Sequence, residues 1–557
     1  MAAVVEDLRA AEEDNYLFHF IKQKQTLTRH KMKKYIFLLL AGFSFSAAQS
    51  QEITDALRYS QDNLTGTARF RAMGGAFGAL GGDLSSINVN PAGSAIFSNN
   101  QIAITLSNFD TKNNSNYFGT NTTAKDNSFD LNQAGGVFVF KDQKSTSNWK
   151  KFSVAINYEN TNNFNNSLFS AGTNPVNSVA DYFLHYANSA NGGAPVPQEL
   201  VNTQSGETIS SLYSYLGSNL PNNQYPNLSG YAAQQAMLGY QAYVINATTP
   251  ADNNSTYSSN VPAGGNYYQE NTINSTGYNG KLSFNAATSY KDKLFIGINL
   301  NSHFTDFRQS TSFYEDNNAP LTADYEVSRL QFDNDLYTHG TGFSFQLGAI
   351  AKVTNEIRLG LAYESPTWYH LSDELTQKIS AVSSAIGLSD TNDVVYPKIT
   401  NYYAPYKLQT PSKFTGSFAY VFGKSGLISI DYAIKDYGNT KFQPENDSYY
   451  RDVNSYMNAT LKSTNELRIG AEYKIKEWSL RGGYRYEQSP YKNATTIGDL
   501  NGYSAGLGYD FGSTKLDLAY SSAQRDSQQG FFSSGFTDGA KINSTNNNIS
   551  LTLLFEL

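Results

Sequence analysis

Arg468 and Glu472 are four residues apart, as are Arg481 and Arg485, in segments that alternate apolar and polar residues. In an extended chain, residues at even spacing share one face, so neighbouring strands here would bring guanidinium and carboxylate groups together. Two chemistries fit that arrangement. Arg481 or Arg485 can draw the carboxylate head group of a ligand through charge-assisted, bidentate hydrogen bonds. Alternatively, the charges neutralise one another and hold another part of the chain. Nothing in the sequence points to catalysis. His19, His30, His185, His303, His339 and His370 are scattered without metal-ligand spacing. No Ser or Asp sits in a nucleophile-elbow pattern. The absence of cysteine removes disulfides, thiolate metal sites, a Cys nucleophile and a lipoprotein anchor together. We therefore expect no enzyme, no cofactor and no metal.

A second group of residues suggests close packing. Gly74, Gly75, Gly81 and Gly82 punctuate residues 60–83, followed by the acidic Asp83 and then Asn90-Pro91-Ala92-Gly93. Glycine lets a backbone turn sharply and lie against other chain segments. Asn90-Pro91 reads as a helix start, since Asn caps free N–H groups and Pro suits the first helical position. A phosphate loop is a poor fit, because no Gly-Lys-Ser/Thr follows and no βα unit surrounds the glycines.

Alternating strands supply the positioning elements. Period-2 runs occur at roughly 101–110, 133–141, 150–160, 279–290, 293–306, 341–352, 355–365, 411–422, 425–436, 464–475, 477–487, 501–511, 513–523 and 545–557. Each is long enough to cross a bilayer as a tilted β-strand. The last run places Ile549, Leu551, Leu553, Phe555 and Leu557 on one face. Short turns follow the even-numbered runs and long connections the odd-numbered ones, at 111–132, 161–278, 307–340, 366–410, 437–463, 488–500 and 524–544. An even strand count with that asymmetry is the outer-membrane barrel pattern. Residues 325–335 also look strand-like and are assigned as an extension into a loop. The expected fold is all-β: a 14-stranded antiparallel transmembrane β-barrel over residues 101–557, with a large extracellular loop at 161–278. An exported, soluble multi-domain β protein would not explain the turn asymmetry.

Composition agrees with this. Mean hydropathy is −0.46, as expected when only alternate residues face lipid. The longest apolar run, residues 35–43, is well short of the ~20 residues of a spanning helix. A net charge of −7 argues against nucleic acid as a partner. Met32-Lys33-Lys34, the apolar run and Ser46-x-Ala48 read as a signal peptide at 32–48. Residues 1–31 then read as a mis-assigned upstream leader, and residues 49–100 as a compact N-terminal segment.

Arg71-Ala72-Met73-Gly74-Gly75-Ala76-Phe77, Asp83 and Asn90-Pro91-Ala92-Gly93 resemble the start of the FadL/TodX family of outer-membrane transporters for hydrophobic compounds. Tyr363-Glu364-Ser365-Pro366-Thr367 and Arg481-Gly482-Gly483-Tyr484-Arg485-Tyr486 resemble strand-end motifs of the same family. Ser94 stands where Leu is common, and the chain ends on Leu557 rather than an aromatic residue. The resemblance implies a fourteen-stranded barrel whose N-terminal segment is a lumenal hatch, with Gly74, Gly75, Asp83, Asn90, Pro91, Ala92 and Gly93 as its gating residues. It also implies passive uptake of long-chain fatty acids or aromatic hydrocarbons, often with sideways release through the wall.

Helix-like stretches in the long loop, 177–190 and 228–246, carry Phe183, Leu184, Met237 and Leu238. These four either line a greasy substrate entrance or form a packed cover with no ligand. With Arg481 and Arg485 they are the candidate substrate contacts. The expected partners are a hydrophobic small molecule, outer-membrane lipid and the barrel-assembly machinery during insertion, and the expected state is a monomer in the outer membrane of a Gram-negative cell. A non-transporting, adhesin-like surface barrel is the alternative.

Overall fold

The computed structural model describes residues 52–557 apart from 143–146, 190–192, 219, 222 and 226. The signal peptide and the upstream leader lie outside the described residues. Fourteen antiparallel strands close into a barrel. In chain order they are β1 Gln101–Tyr117, β2 Thr120–Lys141, β3 Trp149–Asn163, β4 Tyr267–Tyr290, β5 Leu294–Asn317, β6 Glu326–Lys352, β7 Ile357–Glu364, β8 Lys413–Phe422, β9 Gly426–Asp436, β10 Ser463–Ile475, β11 Trp478–Glu487, β12 Ile497–Asp510, β13 Thr514–Gly530 and β14 Gly539–Glu556. Closure runs from Gln101 opposite Glu556 to Asn116 opposite Lys541. It leaves neither β1 nor β14 with a free edge.

The alternation sorts side chains by solvent. On β9, Ile428, Ile430, Tyr432 and Ile434 point outward and are exposed, while Ser429, Asp431 and Ala433 are buried inside. The same holds on β5, where Ile296, Ile298 and Leu300 face out and Asn299 and Asn301 face in. An exterior of exposed Leu, Ile and Phe would be unfavourable in water and is what a hydrocarbon surround requires. Trp149, Phe140, Phe422, Trp478 and Phe511 are exposed at the short-turn end, where aromatic residues favour the membrane interface.

Several strands run beyond the expected lengths. Residues 111–132 form a β1–β2 hairpin turning at Phe118-Gly119, rather than an irregular loop. Residues 307–317 continue β5, and 326–340 are the outer part of β6. These extensions carry polar or charged residues on both faces, so they lack the apolar alternation that marks the membrane-level strands. Ser365-Pro366-Thr367 interrupts the wall after β7, and Trp368–Ser384 resumes pairing with β6 above the break. Proline has no N–H to give the ladder. β2 and β3 pair only from Gln133–Glu159 to Lys141–Lys151. Above that point side chains connect them, with Asn160 and Asn163 each donating to Asp130 at 2.8 Å.

At the long-connection end, helices α1 Ala180–Ala187, α2 Ile209–Ser218 and α3 Gly230–Gln241 pack into an apolar cap with Phe313, Phe332 and Phe536. α1 and α3 fall within the two helix-like stretches of the loop. A further helix, Ser448–Thr460, fills the connection after β9.

Candidate functional site

The interior of the barrel is occupied by residues 52–100. Two short helices, Ile53–Ser60 and Ala68–Ala72, precede two 3-10 turns, Leu84–Asn88 and Pro91–Ile96. Their bonds to the wall reach strands around the circumference. Ala68 N donates to Thr552 Oγ1 at 2.7 Å, Gly74 N to Ser504 Oγ at 3.1 Å, and Phe77 N and Gly78 N to the Asp431 carboxylate at 2.9 and 3.0 Å. On the opposite side, Asn285 Nδ2 donates to Pro91 O at 2.9 Å, Asn299 Nδ2 to Ile87 O at 2.7 Å, and Gly66 N to Asn132 Oδ1 at 2.7 Å. A segment too rich in turns to satisfy its own backbone finds partners in the polar inner face of the wall.

The predicted segment residues divide into two groups. Gly74 and Gly75 adopt φ of 62° and 78°, a left-handed backbone that suits glycine. Asp83 and Gly93 act within the segment. The Asp83 carboxylate accepts from Thr67 Oγ1 at 2.8 Å and Ser85 N at 2.9 Å. Burial raises its pKa, against the pull of Arg69. Asn90 acts in both roles. Its Oδ1 caps Ala92 N at 3.1 Å, and its Nδ2 donates to Gly78 O at 2.7 Å and to Ala349 O on the wall at 3.0 Å. Pro91 opens the 3-10 turn, and Ala92 is fully buried beside Ala287, Phe295 and Ile350.

The wall is shaped to receive this segment. A Cβ on Gly470 would stand 2.5 Å from Met73 O, one on Gly297 2.5 Å from the Pro91 carbonyl, and one on Gly506 2.5 Å from the Ala72 methyl. Gly348, Gly360 and Gly483 leave equally little room, against Asn90, Gly78 and Gly74 respectively. Glycine inside a strand marks close backbone approach. These six inward glycines were the available signal for the docking surface, and sequence reasoning passed over them.

The ionic residues form two networks, one around Glu472 and one around Arg485 and Asp62. Glu472 receives Arg69 of the segment at 2.8 Å and Arg481 at 2.7 Å, and Arg481 also reaches Asp517 at 2.5 Å. Arg485 pairs with Glu487 and lies 3.6 Å from Glu466, and its Nη2 donates to Asp62 O at 2.7 Å. Asp62 binds Lys413 at 2.7 Å and Lys435 at 3.3 Å. Burial works against its charge, but the two ammonium groups hold its carboxyl well below the usual range. The arginines singled out in the sequence thus spend most of their donors on carboxylates and on the N-terminal segment.

Two cavities adjoin the segment. One, of about 110 Å3, carries mixed charge, with Asp62, Glu159, Glu364, Lys281, Lys413 and Arg468 among its lining residues. The other, of about 270 Å3, lies against β1, β12, β13 and β14. Neither is lined by Phe183, Leu184, Met237 or Leu238, which pack in the cap; Phe183, Met237 and Leu238 are wholly buried there. A separate aromatic cluster packs on the segment. Phe164, Phe307, Tyr369, Leu371, Tyr406, Leu408 and Phe442 surround Ala56, Leu57 and Tyr59 of the first short helix, Ile53–Ser60, labelled αN below.

No curated protein matches this chain. Among solved structures, a FadL homologue of Pseudomonas aeruginosa is similar at 13% identity and a TM-score of 0.49, covering 89% of this chain and 99% of that one. The Pseudomonas putida toluene transporter TodX aligns at 13% identity and 0.46, and the Ralstonia pickettii toluene transporter TbuX at 15% and 0.43, with the same coverages. Residues 234–548 match the family described as outer membrane protein transport protein (OMPP1/FadL/TodX). That match spans more than half of the chain, which therefore belongs to the FadL/TodX family of outer-membrane β-barrel transporters of hydrophobic compounds.

Proposed function

We propose that this barrel takes up small hydrophobic molecules, such as long-chain fatty acids or aromatic hydrocarbons, passively and under the control of residues 52–100 acting as a hatch. The observation that carries this reading is the mode of docking. The segment is held by backbone N–H groups on Asp431, Thr552 and Ser504, not by one continuous apolar core. Hydrogen bonds of that kind are worth about 0.5–1.5 kcal/mol each, so they can be exchanged stepwise as the segment shifts.

The aromatic cluster around αN supplies the apolar part of the path. A ligand entering from the outer side would share or take the place of Leu57 and Tyr59 among Phe164, Phe307 and Tyr369, beneath the cap of Phe183, Leu184, Met237 and Leu238. Gly74, Gly75, Asp83, Asn90, Pro91, Ala92 and Gly93 shape the hatch. The parting of β2 from β3 above Gln133 supports a sideways exit. The protein acts as a monomer inserted by the barrel-assembly machinery.

A cysteine tether tests this. Ser94 Oγ on the segment and Ser153 Oγ on β3 are 3.0 Å apart, and the chain has no native cysteine. In Ser94→Cys/Ser153→Cys, uptake of labelled palmitate and toluene by intact cells should stop on oxidation and return on reduction. Equal uptake in both states, with the disulfide formed, would refute hatch control.

A further inference from the structure

The larger cavity has a chemical bias that passage of hydrophobic molecules does not explain. Arg71 and Arg485 line it together with amide and hydroxyl side chains, and no Asp, Glu or Lys does. Arg71 is 3% exposed and forms no ion pair among the described residues. Its Nη2 donates to Ser521 Oγ at 3.3 Å, while Nε and Nη1 find no acceptor among the described residues. Asn548 is 5% exposed. Its Oδ1 accepts from Ser550 Oγ at 2.6 Å, and its Nδ2 has no acceptor among the described residues. The buried unpartnered side-chain atoms on the lining residues are Arg71 Nε and Nη1, Arg485 Nε and Asn548 Nδ2, all donors.

Leaving a buried donor without an acceptor is unfavourable, and more so when it is charged. Burial lowers the Arg71 pKa to about 9; Asp130 opposes the shift and Arg485 adds to it. An anion in the cavity would relieve each of these penalties. Asn63, Asn113, Asn162, Asn166 and Asn546 supply further amides around the same space. Each amide can both donate and accept. An alkyl chain there would strip water from those amides without replacing their hydrogen bonds. A ligand bearing hydroxyls can satisfy them, with Leu64 and Phe109 covering its carbon framework.

We propose that this cavity binds a small hydroxylated carboxylate of the sugar-acid class, with the carboxylate on Arg71 and Asn548 and the hydroxyls on the asparagine amides. Arg71 belongs to the N-terminal segment and Asn548 to β14, so the bound anion bridges segment and wall. The site stands apart from the aromatic cluster around αN and does not depend on the uptake reading.

The test is calorimetric titration of the mature, detergent-extracted protein with galacturonate, with galactose and myristate as comparisons. Galacturonate should bind, and neutral galactose should bind at least about tenfold more weakly, as expected for loss of a charge-assisted hydrogen bond. Arg71→Gln and Asn548→Asp should each weaken galacturonate by at least about tenfold. Asn548→Asp keeps the acceptor for Ser550, so it tests the site if Arg71→Gln fails to assemble. Heat-modifiable migration on gels establishes assembly of each variant. Absence of galacturonate binding, equal binding of galactose, displacement by myristate, or unchanged affinity in an assembled variant would each overturn the proposal.

Discussion

The carboxylate of Asp431, on the inner face of β9, accepts the backbone N–H of Gly78 at 3.0 Å and that of its neighbour Phe77 at 2.9 Å. One wall side chain thus closes two backbone donors of the N-terminal segment. Replacing Asp431 with Ala would leave both N–H groups buried and unpaired, at about 1–3 kcal/mol apiece. We expect the barrel to assemble, residues 74–82 to exchange amide hydrogens faster, and single-channel conductance in planar bilayers to rise. Unchanged exchange in that stretch would rule out Asp431 as a latch.

Gly483 offers a purely steric version of the same experiment. A methyl at this position would run into the Gly74 nitrogen and the Met73 carbonyl carbon, neither of which can rotate away as a side chain can. Gly483→Val should therefore expel the segment while leaving the β10–β11–β12 ladder intact. Limited proteolysis should then cut between residues 60 and 82 in an otherwise heat-modifiable barrel. A segment as resistant as in the parent protein would contradict this docking.

Glu472 joins Arg69 of the segment to Arg481 of the wall and is 3% exposed. Removing one partner from a buried ionic group costs about 3–5 kcal/mol, because the remaining charge is left unpaired. Glu472→Gln should lower the thermal midpoint measurably. Arg69→Met together with Glu472→Met should recover part of the loss. A double variant less stable than Glu472→Gln alone would mean that the network is not the source of the effect.

Glu52, at the start of αN, gives a pH dependence. Burial raises its pKa to about 7; a hydrogen bond from Ser533 opposes the shift, Asp55 adds to it and Arg58 opposes it. A carboxyl whose folded pKa lies above its unfolded value of about 4.3 binds more protons when folded. Docking of αN is then strongest below about pH 4.5 and weakens as pH rises towards 7, beyond which the penalty is constant. Hydrogen exchange over residues 53–60, corrected for intrinsic rates, should show less protection at pH 8 than at pH 5. Glu52→Gln should abolish that difference; a difference that persists would point to another group.

Most of the wall was legible because a membrane barrel imposes one rule on every strand. Leu467, Ile469 and Tyr473 must face hydrocarbon, and Arg468 and Glu472 must not. The inward placement of Arg481 and Arg485 followed from that rule, but their partners did not. Asp517 is 36 residues from Arg481 and Asp62 is 423 from Arg485, and no local pattern encodes such a meeting. The outer halves of β1, β2, β5 and β6 were read as loops because polar residues occur on both their faces and blur the alternation.

The sequence by itself determined the closed barrel, its strand number and the direction the membrane-level wall residues face, since these depend on short-range alternation and on turn length. The tertiary structure alone decided what fills the interior. Gly297, Gly348, Gly360, Gly470, Gly483 and Gly506 become a docking surface only when six wall strands curve around one segment. Arg71 Nε and Nη1 become buried donors without an acceptor among the described residues only because β13 and β14 close over them. Both follow from chain segments hundreds of residues apart excluding water from the same space.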